Sequence, residues 1–268
     1  MAQFCDIASR NELADFLGIP RQRMTYVLYV KKVESYYTSF EIPKKNGETR
    51  TIKAPTGELK FIQKKLVSKL VQYQREIWRS KGMKPNISHG FEKGKSIVTN
   101  AKIHKNKRYL LNIDLQDFFD SFHFGRVRGF FEKNRDFALP LEVATVLAQL
   151  TCFEGCLPQG APTSPILTNL ICRILDNRLL KIAKRYKLDY TRYADDLTFS
   201  TNDKTFAGLK DEFLCTIQKE IERAGFKINE KKTRLACKNS QQKVTGLIVN
   251  QKVNVAQDYY RKTKSMAH

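Results

Sequence analysis

The sequence predicts an α+β fold, and three observations carry that expectation. Between Tyr109 and Asn229 the elements run strand, helices, hairpin, helix, strand. This order approximates the split β-α-β-β-α-β arrangement, with extra helical material after the first strand. Upstream, Leu59, Ile62, Leu66, Leu70, Tyr73 and Ile77 recur at spacings of three and four. That is the period of a long amphipathic helix, and its opposite face is loaded with Lys, Gln and Arg. Before it, Tyr36–Ile42 and Arg50–Lys53 alternate like strands on either side of Asn46-Gly47, a strong hairpin-turn dipeptide.

The remaining elements follow in chain order. Asn11–Leu17 reads as a small helix ended by Gly18 and Pro20, and Met24–Val33 as a second. A loop from Ser88 leads into a short helix near Ile97–His104. Arg108–Asp114 is an apolar strand that delivers an acid at its end. Helices are expected over Phe124–Glu132 and Leu141–Thr151. A long helix then begins at Pro165, which needs no N–H in the first turn, with Ser164 placed to cap it, and runs to about Arg185. After the hairpin within Leu188–Ser200, a helix over Asp203–Ala224 is ended by Gly225. Short strands are expected at Phe226–Asn229, Arg234–Lys238 and Lys243–Val249.

Charge is the outstanding bulk property. Lys and Arg number 48 against 27 Asp and Glu, a formal net charge of +21. Such a surplus calls for a polyanionic partner, and its spread along the whole chain fits a long nucleic-acid backbone better than one membrane-binding helix. No apolar run is long enough to span a bilayer, and no N-terminal segment resembles a signal peptide. The six cysteines include no C-x-x-C pair, so they read as ordinary residues of a reducing cytoplasm.

The chemistry concentrates in Tyr193-Ala194-Asp195-Asp196, at the tip of the expected hairpin. Adjacent carboxylates raise each other's pKa, and a bound divalent cation removes that cost. Oxygen ligands of this kind suit Mg²⁺ or Mn²⁺. A solvated Asp-Asp turn is the plain alternative. In the predicted topology Asp114, at the end of the first strand, becomes a neighbour of Asp195. Convergent carboxylates on one sheet edge are what two-metal phosphoryl transfer requires. The alternative for Asp114 is an N-cap of the next helix, a role that Asp117 and Asp120 fit better.

With these residues in view, the chain resembles the reverse transcriptases. Ile113-Asp114-Leu-Gln-Asp-Phe-Phe119, Leu157-Pro-Gln-Gly-Ala-Pro-Thr-Ser-Pro165 and Tyr193-Ala-Asp-Asp196 occur in the order and approximate spacing of that family's motifs. Arg50-Thr-Ile-Lys-Ala-Pro and His89-Gly-Phe-Glu-Lys-Gly-Lys-Ser-Ile97 look like fingers motifs, and Gly225-Phe-Lys-Ile-Asn-Glu-Lys-Lys232 like the next palm motif. The resemblance covers roughly residues 36 to 255. Asn100-Ala-Lys-Ile-His104 and Val244-Thr245-Gly246 match two elements of the retron branch in bacteria. Taken without the resemblance, Asn100 and His104 also suit a capped helix with a satisfied histidine.

The resemblance implies a right-hand polymerase with fingers and a ferredoxin-like palm; family members usually continue into a helical thumb, and the short stretch after Val249 departs from that, so a truncated or minimal thumb is expected. The expected divisions are fingers at 1–107 and 125–161, palm at 108–124 and 162–240, and the start of a thumb at 241–268. Asp114, Asp195 and Asp196 would hold two Mg²⁺ ions, with more weight on Asp195 than on Asp196. Lys232 would protonate the leaving pyrophosphate, and the adjacent Lys231 is the competing choice. Phe119 would exclude a ribose 2′-OH, with Phe118 a core neighbour. Gln159 and Arg50 would contact the incoming dNTP. Asn100, His104, Val244, Thr245 and Gly246 would serve RNA recognition.

The implied activity is RNA-directed DNA synthesis in a bacterial cytoplasm. Its template and primer would be a cognate structured noncoding RNA, its product branched RNA-linked msDNA. The setting would be an anti-phage defence system with an effector protein and no membrane partner. Two other readings stand beside it: a nucleic-acid-binding scaffold of a defence complex with little polymerase activity, and a reverse transcriptase of the group II intron or diversity-generating type.

Overall fold

A computed structural model describes residues 4–43, 47–82 and 87–266. In chain order the elements are α1 (Arg10–Leu17), α2 (Arg21–Thr25), β1 (Tyr37–Pro43), β2 (Thr49–Pro55), α3 (Gly57–Ser80), α4 (Ile97–Ile103) and β3 (Tyr109–Gln116). Then come α5 (Phe124–Lys133), α6 (Leu141–Thr151), α7 (Ser164–Arg185), β4 (Asp189–Tyr193), β5 (Asp196–Thr201) and α8 (Phe206–Arg223). The last are β6 (Lys227–Ile228), β7 (Arg234–Cys237), β8 (Lys243–Val244), β9 (Leu247–Ile248) and α9 (Gln257–Met266). The chain forms two compact units: Met1–Pro85 with Phe119–Ile171, and Asn86–Phe118 with Cys172–His268.

The first unit is mainly helical. Ser9 caps α1 by accepting from the Glu12 N–H, and Gly18 closes it in the left-handed region. Where one helix over Met24–Val33 was expected, α2 gives way to a π-helical turn at Tyr26–Val30, and Lys32 at φ 62° ends the run. β1 and β2 pair antiparallel from Tyr37 opposite Pro55 to Pro43 opposite Thr49. Of the expected turn dipeptide, Asn46 lies outside the described residues, while Gly47 has φ +87°. The apolar stripe of α3 is buried as its period requires: Leu59, Ile62, Leu66 and Leu70 are fully enclosed. Each such side chain contributes about 1.5–3 kcal/mol of burial free energy. Tyr73 continues the stripe into a cluster of rings, tilted against Phe4 and edge-on to Phe137, and its hydroxyl donates to the Asp136 carbonyl.

The second unit is built on one antiparallel sheet. Its strand order is β4-β5-β3-β6, and β7 also pairs with β3. With β3, β4, β5 and β6 as the four strands of a β-α-β-β-α-β unit, this is the ferredoxin-like order. β3 meets β5 from Tyr109 opposite Thr201 to Asp114 opposite Asp196. On its other side it meets β7 along Tyr109–Asn112 and β6 at Leu115 and Gln116. Helix α8 buries Phe213, Ile217 and Ile221.

Three local expectations change. The single strand expected at Lys243–Val249 is a hairpin of β8 and β9, because Thr245 (φ 46°) and Gly246 (φ 84°) both turn left-handed. The Ser164 hydroxyl does not cap α7 but donates to the Pro158 carbonyl. The cap of α5 is His123, which accepts from the Arg126 N–H, and not Asp117 or Asp120. Residues 87–107 fall in the second unit, where α4 packs on β4 and on the β8–β9 hairpin.

Candidate active site

The ladder between β3 and β5 creates the site. It sets Asp114 directly opposite Asp196 at the end of both strands. The two-residue turn Ala194-Asp195 joins β4 to β5, and the Asp195 carbonyl accepts from the Leu115 N–H at 3.0 Å. From the other flank the Asn229 N–H donates to the Asp114 carbonyl at 2.8 Å. That bond places the short helical turn Glu230–Lys232 beside β3, and Lys232 Nζ reaches both Asp114 carboxylate oxygens at 3.0 and 3.2 Å. Of the two adjacent lysines, Lys232 is the one on the acid. The cross-strand partner of Asp114 is Asp196, with Asp195 on the turn beside it.

Asp114 and Asp196 line a cleft of about 330 Å³ together with Lys232, Arg234, Lys243, Thr245 and Gly246. A larger cleft of about 500 Å³ between Ile248 and Tyr260 is lined by no carboxylate, so it offers no such chemistry. Surrounding protein pushes the Asp196 carboxyl up to about 7, with Asp195 and Asp114 adding to the rise and Lys232 opposing it. Its side chain still reaches water at the cleft mouth.

Among the described residues, no group of three or more His, Cys, Asp or Glu side chains is gathered closely enough to hold an ion. The donor chemistry nevertheless fits a hard divalent cation. The ligands offered are all carboxylate oxygens, and a bound cation offsets the burial and the neighbouring carboxylates that together raise Asp196. Lys232 provides a positive charge to Asp114 in this arrangement.

Behind the turn lies a buried charge pair absent from the sequence-based site. Arg192 and Asp176 are both fully enclosed. Arg192 Nε and Nη2 each donate to one Asp176 oxygen at 2.8 Å, and Nη1 donates to the Ala194 carbonyl at 3.1 Å. The Tyr190 hydroxyl donates to the same carboxylate at 2.9 Å. Two signals were available: a basic residue immediately before Tyr193-Ala194-Asp195-Asp196, and a lone acid in the apolar run Ile174-Leu175-Asp176. The loop residue Gly90 packs against the turn itself, where an added Cβ would come within 2.6 Å of the Ala194 nitrogen.

The RNA-recognition candidates separate into two groups. Asn100 and His104 on and after α4 have no exposed surface. His104 bonds Ser200 through Nδ1 at 2.7 Å and Thr191 through Nε2 at 2.8 Å, and Thr191 donates to Asn100 at 2.6 Å. These side chains tie α4 to β4 and β5, and direct contact with RNA is not open to them in this arrangement. That bonding agrees with the alternative of a satisfied histidine. Val244 is likewise buried, whereas Thr245 and Gly246 stand at the rim of the cleft.

The three nucleotide-binding candidates all lie in the first unit. Arg50 is exposed on β2. The Gln159 carbonyl accepts from the Lys53 N–H of the same strand at 2.8 Å, which joins the Gln159 loop to β2. Gly160 permits that approach: with φ +124°, a Cβ there would meet Ile52 and the Lys53 carbonyl at 2.8 Å. Phe119 is half-buried, and its carbonyl accepts from the Phe122 N–H. Phe118, in the second unit, is buried and stacks on Phe226.

A ferredoxin-like sheet with an acid-tipped hairpin facing an acid-ended strand is the palm of a right-hand nucleic-acid polymerase. Solved structures agree on the fold. A telomerase from Candida albicans, in complex with a TWJ fragment of telomeric RNA, aligns with TM-score 0.57 at 12% identity over 82% of this chain and 45% of that one. An apo telomerase from Candida tropicalis aligns with TM-score 0.54 at 14% identity over 82% and 47%.

The family model "Reverse transcriptase (RNA-dependent DNA polymerase)" matches residues 42–249. The retron Ec86 reverse transcriptase of Escherichia coli is 38% identical over 91% of this chain and 73% of its own length. The retron Mx162 reverse transcriptase of Myxococcus xanthus is 36% identical over 91% of this chain and 54% of its own. The chain belongs to the reverse transcriptase family and, within it, to the retron reverse transcriptases. It spans little more than half the length of the Myxococcus relatives it matches. Among the described residues, no helix is long and apolar enough to cross a membrane.

Proposed function

We propose that this chain carries the polymerase centre of a retron reverse transcriptase, copying part of a structured noncoding RNA into branched, RNA-linked DNA. The carrying observation is the pairing of Asp114 with Asp196 across the β3–β5 ladder, Asp195 on the adjoining turn and Lys232 on Asp114. Asp114, Asp195 and Asp196 hold the divalent ions, Mg²⁺ or Mn²⁺. When bound, these ions supply Lewis-acid stabilisation to the attacking 3′-oxygen and the leaving pyrophosphate.

The remaining roles belong to the chain itself. The second unit is the palm, and the first supplies fingers. Lys232 holds a proton within reach of the reacting phosphates and delivers it to the departing pyrophosphate. Arg50 and Gln159 bind the incoming dNTP from the joined β2 and Gln159 loop. Phe119 excludes a ribose 2′-OH. Lys243, Arg234 and the Thr245-Gly246 turn give the cleft a basic rim for an RNA or hybrid backbone. The cognate RNA, its msDNA and an effector protein of an anti-phage system are the partners this reading names.

Expression with the neighbouring noncoding RNA tests the whole. A small RNA-linked DNA is expected from the wild type and none from Asp195→Asn. RNA bound tightly without any DNA product would favour a scaffold, and extension of ordinary 3′ primers alone would remove the retron activity. For the gate, Phe119→Ala is expected to admit rNTPs in primer extension, and unchanged sugar selectivity would remove Phe119 from that role.

A further inference from the structure

The carboxylates of the β4–β5 turn depend on a backbone that must be held in an uncommon shape. Ala194 has φ +55°, the left-handed region that a residue with a side chain seldom adopts. Two neighbours bear on it. Gly90 lies against its nitrogen, and that approach leaves no room for a Cβ. The loop carrying Gly90 is itself fastened to β4, since the His89 N–H donates to the Arg192 carbonyl at 2.7 Å. From beneath, Arg192 Nη1 donates to the Ala194 carbonyl.

The support beneath the turn is an expensive choice. A fully enclosed Arg–Asp pair seldom stabilises a fold more than apolar side chains of the same volume, because desolvation offsets the attraction. What apolar side chains cannot do is direct a hydrogen bond. The guanidinium fork is fixed by its two bonds to Asp176, and in that orientation the third nitrogen donates to the Ala194 carbonyl. The next two residues are Asp195 and Asp196. A misplacement of reacting groups by about 1 Å costs about a hundredfold in rate.

We propose that the Arg192–Asp176 pair is a positioning device: through the Ala194 carbonyl it sets where Asp195 and Asp196 stand, and thereby controls ion binding and nucleotide addition by a residue that touches neither. The inference rests on the reading that the three carboxylates hold divalent ions.

The test compares three proteins with the wild type. Arg192→Lys keeps the charge but loses the planar fork that fixes the direction of the bond to Ala194. A triple variant, Arg192→Met with Asp176→Leu and Tyr190→Phe, removes every charge and polar group of the pair at similar volume. Asp195→Asn is the control for the ion site. Each is measured by thermal unfolding, by Mn²⁺ affinity from the electron paramagnetic resonance signal of free Mn²⁺, and by kcat and KM for dNTP on a primer–template.

The triple variant is expected to melt close to the wild type, bind Mn²⁺ about tenfold more weakly and lose about a hundredfold in kcat with KM for dNTP little changed. A triple variant with wild-type Mn²⁺ affinity and kcat would make the pair mere packing and overturn the proposal. Should it not fold, Arg192→Lys decides: an intact melt with weaker Mn²⁺ binding supports positioning, and wild-type binding overturns it. If Asp195→Asn leaves Mn²⁺ affinity unchanged, the ion-site reading falls. If Asp195→Asn loses the ion while Arg192→Lys keeps it, only the positioning inference falls.

Discussion

Asp114→Asn is expected to abolish DNA synthesis, by about a thousandfold or more, while leaving the fold and RNA binding in place. Asparagine keeps the size and both sides of the ladder, because the bonds that fix Asp114 in the sheet are made by its backbone: its carbonyl accepts from Asn229, and its strand position faces Asp196. What is lost is one negative charge of the three. A carboxylate that anchors a divalent ion in phosphoryl transfer contributes several kcal/mol to the transition state, and about 1.4 kcal/mol is tenfold in rate. The substitution also removes the ion pair with Lys232, whose side chain is well exposed, so little stability is lost with it. Single-nucleotide extension on a defined primer–template, beside gel-shift binding of the RNA and a thermal melt, separates these effects. Extension within tenfold of the wild type would take Asp114 out of the ion site.

The second large effect concerns stability. His104 is a buried neutral imidazole with both ring nitrogens bonded. Because the Thr191 hydroxyl gives its proton to Asn100, Nε2 of His104 is the donor to Thr191, and Nδ1 accepts from Ser200. Burial, helped by the charges of Lys107 and His89, holds the His104 pKa down at about 3 against an ordinary 6.5. Between those values the unfolded chain carries a proton there that the folded chain does not. Stability therefore falls as pH is lowered from 6.5 towards 3, by up to about 1.4 kcal/mol per pH unit for this one group. His89, held down at about 4 by burial and Lys95, adds to the same slope down to that value.

His104→Ala is expected to cost roughly 3 kcal/mol at pH 7.5, since it leaves a cavity and strips Ser200 of its partner. It is also expected to flatten the acid slope. Urea unfolding of both proteins at pH 7.5, 6 and 5 measures both effects, and an unchanged slope in the variant would assign the acid sensitivity to other groups.

The sequence carried the fold where the signal was local and repetitive. The stripe from Leu59 to Ile77, the punctuation by Gly18 and Gly225, and the alternation before Asn46-Gly47 each depend on residues close in the chain. The same holds for the carboxylates, whose adjacency is visible in the chain. Three features were not legible, each for a physical reason. The β8–β9 hairpin hides in Lys243–Val249 because Thr245 in the left-handed region is rare enough that composition predicts a strand. The match of His104 to an RNA-recognition element gave no hint that its partners, Thr191 and Ser200, lie 87 and 96 positions away. Arg192 looks like one more cation in a chain with 48 of them, and only Asp176 in the folded unit distinguishes it.

Strand β3 collects its partners from late in the chain, and this has a consequence for synthesis on the ribosome. Asp114 and Lys232 are 118 positions apart, and β3 is also flanked by β5, β6 and β7, all translated after it. At about 5–20 residues per second, the strand bearing the first acid waits on the order of ten seconds for the elements that close around it. During that interval Leu110, Leu111 and Ile113 have none of the sheet that later buries them. A nascent chain of this protein thus exposes an apolar strand with both edges open, and early engagement by a chaperone would shield it until Arg234–Cys237 emerges.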